Sequence, residues 1–113
     1  MTLGTTNKTT IKAAVNLRNR IKREFKEILP LIQLDTEESL VQVTKKLRFL
    51  FKLIERFVDD EQENMFKSDK INLEILQAQI LAFIKEFEEK TSRERLALAK
   101  TLTRIAENAL ETD

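Results

Sequence analysis

The chain has 113 residues, 42% of them hydrophobic and 35% charged, with a formal net charge of +1, a single glycine and a single proline. So little glycine and proline excludes a turn-rich β-protein and a disordered linker, and the length suits one all-α domain with a modest core. Histidine and cysteine are absent, which excludes a histidine general base or phosphorelay, thiol nucleophiles, thiolate zinc sites and disulfides. With tryptophan and tyrosine also missing, acid–base chemistry would fall to Asp, Glu and Lys, so the chain reads as a non-enzyme with no cofactor and no metal.

Residues 1–6 are small and polar and read as a tail, with a single helical domain over 7–113. The opening MTLGTTNKTT has no apolar h-region, so no secretory leader is expected and the setting reads as cytoplasmic. Gly4 is not at position 2 and does not suit myristoylation. Asn7-Lys8-Thr9 matches a glycosylation pattern that means little without a leader. No run approaches the roughly 18–20 apolar residues of a membrane span.

The first helix is predicted to start at Thr9 or Thr10 as N-cap. Its apolar face collects Ile11, Ala14, Val15, Leu17, Ile21, Phe25, Ile28, Leu29 and Ile32. Pro30 should end it near Leu29 or force a kink or irregular last turn, because proline removes one backbone donor and restricts the residue before it.

Asp35 followed by Glu38 suggests an acidic N-cap for the second helix. Leu40, Val43, Leu47, Leu50, Ile54 and Phe57 then recur in steps of three and four, flanked by Thr44, Phe51 and Val58. So apolar a helix must be covered by others. Its end is open: it stops near Val58 and a short helix begins at Asp60, or it runs on to about Lys67, as Met65, one heptad after Val58, favours. The acidic cluster at 59–63 fails as a calcium loop, since Asn64 stands where glycine is needed and Lys70 where glutamate is.

Ser68, Asp69 and Asn72 announce the third helix. It presents Leu73, Leu76, Ile80, Phe83, Ile84 and Phe87 on one face and Ile71, Ile75, Ala78 and Ala82 on nearly the opposite one. Thr91 with Glu94 forms a capping box that should launch a fourth helix carrying Leu98, Leu102, Ile105 and Ala109. The expected fold is an antiparallel bundle of four helices, with helices 3 and 4 either separate or fused into one rod, since no glycine or proline enforces the break.

Two features point toward function. Residues 1–34 carry seven basic residues against two acidic, a net +5, while residues 35–70 and 71–113 are each net −2. Lys8, Lys12, Lys22, Arg23 and Lys26 share one side of the first helix, a basic patch that could meet nucleic acid, an acidic protein or an acidic membrane surface, or be merely a solvated face. No helix-turn-helix or RNA-binding strand motif accompanies it. The second feature is surplus apolar surface. Phe49 and Leu53 lie beside the main stripe of helix 2, and Ile71 and Ile75 begin the second stripe of helix 3. A bundle helix needs about one stripe, so these four residues are candidates for an interface with another protein or, most simply, with a second copy in an isologous dimer. The leading functional expectation is therefore a protein–protein interaction or regulatory module. The runner-up is a nucleic-acid binder using the basic helix over 8–26.

Overall fold

The computed structural model describes residues 8–109, with side chains from residue 10 onward. The predicted tail at 1–6 and the side chain of Lys8 lie outside that range. Among the described residues the elements are α1 (Lys8–Leu34), α2 (Glu37–Glu61), a 3-10 turn at Gln62–Asn64, α3 (Lys67–Glu86), a second 3-10 turn at Phe87–Glu89, and α4 (Ser92–Asn108), with no strand. The four helices pack into an all-α bundle measuring 46 × 21 × 19 Å. α1 lies against α2 and α4, α2 against α3, and α3 more loosely against α4. Connections this short cannot carry the chain back along a helix, so neighbours run antiparallel.

One apolar stripe per helix builds the core. α1 contributes Leu17, Ile21, Phe25, Ile28 and Ile32, α2 contributes Val43, Leu47, Leu50 and Ile54, and α3 contributes Leu73, Leu76 and Ile80, all buried. α4 brings Ala99, Leu102 and Ala106, and its small residues let its backbone come close to α1. Ile11, assigned to the core stripe by its spacing, is exposed, while Val15 and Leu29 are half-buried.

The helix ends differ from expectation in instructive ways. α1 is already helical at Lys8, so Thr10 is not a cap. It is buried and donates its hydroxyl to Glu61 Oε2 at 2.6 Å, tying the start of α1 to the end of α2. α1 also continues through Pro30 to Leu34. The proline ring faces solvent while Ile32 stays buried, so packing of the last turn outweighs one lost hydrogen bond. Asp35 is not the N-cap of α2. It adopts φ 54 and its N–H bonds back to Leu31 O at 3.3 Å, the left-handed residue that closes α1. Thr36 takes the N-cap role instead: its hydroxyl accepts from Ser39 N–H, and Thr36 N–H donates to the Ser39 hydroxyl, both at 3.0 Å.

α2 stops at Glu61, short of Lys67, and the 3-10 turn carries the chain around. Asp59, Asp60 and Glu61 stand in that last turn against the macrodipole, and the Thr10 hydroxyl offsets part of that cost by donating to Glu61. α3 then starts at Lys67 without a side-chain cap. Asp69, in its first turn, is buried, and its Oδ2 has no hydrogen-bond partner among the described residues. Burial raises its pKa above the ordinary carboxylate value. Helices 3 and 4 are separate. The 3-10 turn at Phe87–Glu89 breaks the rod, and Thr91 and Glu94 form the predicted capping box. The backbone N–H of Thr91 holds the Glu94 carboxylate, which lowers the Glu94 pKa.

Arg95 fastens this end of the bundle. Its Nε donates to Phe87 O at 2.7 Å, which also accepts from Lys90 N–H, and a terminal nitrogen reaches Glu88 O at 3.4 Å, so one side chain holds two carbonyls of the 3-10 turn. Its guanidinium also lies 4.9 Å above the Phe87 ring and 3.6 Å from Asp35 Oδ1. Ser92 donates its hydroxyl to the other Asp35 oxygen. The turns α1–α2 and α3–α4 are thereby joined.

Candidate interaction surfaces

Three surfaces carry the sequence-predicted residues. The first is the seam between α1 and α2. Glu24, buried on α1, accepts from Arg20 Nε at 3.0 Å and from Lys46 Nζ of α2 at 3.2 Å, and Lys46 also reaches Glu27 at 3.0 Å. A carboxylate so buried needs such partners. The hydrogen bond to Glu27, aided by Glu24 and opposed by burial, raises the Lys46 pKa. Arg20 turns its guanidinium over the Phe49 ring at 4.8 Å. Phe49 is therefore half covered by a cation of its own chain, though still 45% exposed. Leu53 lies farther along the seam, half-buried, in an open groove of about 380 Å³ with Ala13, Leu17, Arg20, Arg56 and Phe57. These two interface candidates share one surface, along the seam of α1 and α2.

Ile71 and Ile75 stand elsewhere. α3 packs on the other flank of α2, where Gln77 donates to Phe51 O at 3.4 Å. With Leu73, Leu76 and Ile80 turned inward, helical periodicity carries Ile71, Ile75, Ala78 and Ala82 to the side of α3 directly opposite the core. All four are exposed, the isoleucines by 45% and 47%. Leu98 of α4, also exposed, joins Ala82 along a shallow groove where α3 and α4 meet loosely. The four predicted interface residues thus divide between two faces. From Ile71 to Ile84 the sequence holds fourteen residues and a single charge, Glu74, in a chain that is otherwise one-third charged. Uncharged helix surface on both sides is the pattern of a helix covered on both sides.

The third surface is the basic one. Lys22, Arg23 and Lys26 stand with Asn19 on one lip of a groove of about 630 Å³ between α1 and α4, facing Thr103, Glu107 and Asn108. Lys12 is exposed about three turns nearer the N-terminus and does not line this groove. None of these four cations is in an ion pair among the described residues, and Glu107 is the acidic residue that faces them.

Two details were missed from sequence. Glu24 falls between Ile21 and Phe25 inside the apolar stripe, with Arg20 one turn before it, and that placement was a readable sign of a paired buried acid. The role of Arg95 left no such sign, since two of its partners are backbone carbonyls of another element. Among the described residues no group of three or more Asp or Glu is placed to hold a metal, and no helix is long and apolar enough to cross a membrane. Compared with protein families, characterised proteins and solved structures, the chain finds no match.

Proposed function

We propose that this protein is a non-enzymatic helical interaction module, cytoplasmic in setting, whose docking face is the outward side of α3 and whose occupant there is a second copy of the chain. One observation carries the reading: Ile71 and Ile75 lie in water, opposite the core, within a fourteen-residue stretch bearing one charge. An exposed apolar stripe of this kind on a highly charged protein marks an association surface. The absence of charged residues along it favours a like, uncharged helix face over a partner steered by electrostatics.

Size-exclusion chromatography with light scattering tests it. The wild-type chain should run near twice 13.2 kDa, and Ile75→Asp should run as a monomer with an unchanged far-ultraviolet circular dichroism spectrum. Phe49→Asp, on the other face, should remain dimeric. A wild-type monomer throughout the micromolar range, or a dimer that survives Ile75→Asp, overturns the reading.

Lys22, Arg23 and Lys26 on one groove lip favour a second reading, nucleic-acid binding. It requires affinity that falls steeply with salt, and Glu107 on the opposite lip works against it. Duplex or single-stranded probes that fail to bind at low salt dispose of it.

A further inference from the structure

The outward stripe of α3 is ordered by size. Its first two members, Ile71 and Ile75, are large, and its last two, Ala78 and Ala82, are small, at steps of four, three and four. Such steps continue a heptad seam, the pattern by which two helices pack knobs into holes. The separation of packed helices is set by the side chains between them. A parallel pairing would set isoleucine on isoleucine at one end and alanine on alanine at the other, so the helices would splay. An antiparallel pairing gives every layer one isoleucine and one alanine, at constant separation.

Resting on the docking face proposed above, we propose that two copies pair antiparallel along α3 about a two-fold axis passing between Leu76 and Gln77, with Ile71 of each copy against Ala82 of the other and Ile75 against Ala78. The neighbours of the seam fit this register. Glu74 falls across from Leu81, and Asn72 across from Gln79, so the stretch from 71 to 82 sets no charge against a like charge. Leu81, itself 41% exposed, gains cover at the edge of the seam. The arrangement is isologous and closes on itself, leaving no free α3 face for further growth. A seam of this length lies at the low end of specific interface sizes, where weak and transient associations are found.

The chain contains no cysteine, which makes cross-linking clean. In the proposed pair residue 71 of one copy meets residue 82 of the other, whereas the two copies of residue 71 lie roughly 16 Å apart along the axis, far beyond the ~7 Å that a disulfide can span. Ile71→Cys and Ala82→Cys are made separately and oxidised alone and mixed, with oxidised glutathione as the oxidant. A disulfide dimer that forms at least about tenfold faster in the mixture than in either variant alone supports the proposal. Self-linking of each variant alone means a parallel pair, and a chromatographic dimer with no linkage means another register; both overturn this pairing and leave self-association standing. A wild-type chain that is monomeric removes the docking face as well. A size exchange gives a second readout. Ala78→Ile alone should weaken the dimer by about tenfold through overpacking, and Ile75→Ala added to it should restore it. On a featureless apolar patch the single change would instead strengthen association.

Discussion

Replacing Phe25 by alanine should cost about 3–5 kcal/mol of folding stability, the range for emptying a fully buried phenylalanine site. Phe25 is 1% exposed and sits among the α1 residues that meet the other helices. A domain of this size holds only about 5–15 kcal/mol in total, so the variant gives up a large share of it and should unfold at a clearly lower urea concentration. Urea titration followed by circular dichroism measures it, since a chain without Trp or Tyr offers little fluorescence. Phe49→Ala is the natural comparison. Its ring is half in water, and its loss should cost well under half as much. Equal costs for the two would mean that the core is not centred where the burial places it.

The second large effect belongs to Arg95. Arg95→Ala removes two hydrogen bonds from a charged donor to backbone carbonyls, the stacking over Phe87 and the contact with Asp35. A charged donor to a carbonyl contributes about 1.5–3 kcal/mol and a cation over a ring about 0.5–2. The Asp35 pair adds little, because Asp35 is more than a third exposed. A loss of about 2–4 kcal/mol in the same titration is expected. Arg95→Lys should recover little of it, since one ammonium cannot serve two carbonyls and a ring as a planar guanidinium does. Arg93→Ala, at an exposed neighbour, should stay within about 0.5 kcal/mol of wild type. If Arg95→Ala does the same, the guanidinium is not what joins the two turns.

Much of the architecture was written in side-chain spacing. The stripes through Leu47, Leu50 and Ile54 and through Leu73, Leu76 and Ile80 are the buried faces, because a 3.6-residue period leaves a helix one way to hide them. Thr91–Glu94 was legible as a start because its reciprocal hydrogen bonds involve four consecutive residues. Thr36–Ser39 does the same job with serine in place of the usual Glu or Gln, so the acidic residues beside it drew attention to Asp35 instead. The heptad step from Val58 to Met65 suggested a longer α2. Spacing alone cannot register where the chain must turn so that α3 can pack back along α2. The candidate site divides in the same manner. The double-sided pattern of α3 could be read directly, whereas Phe49 and Leu53 were placed with it only because sequence does not say on which flank of α2 each neighbour packs.

The unequal helix lengths have a kinetic consequence. α1 runs for 27 residues and α4 for 17, and with both turns pinned at the Arg95 end, the last turn of α4 shares a groove with Asn19 of α1. The stretch of α1 before Arg18 lies farthest from that pinned end, with Thr10 tied to Glu61 of α2. Opening should begin there and spread toward the pinned end. Amide hydrogen exchange should record it as a gradient, with protection rising along α1 from Ala13 to Ile28 and the slowest amides lying between Phe25 and Ile32. Uniform protection along α1 would mean instead that the molecule opens as a single unit.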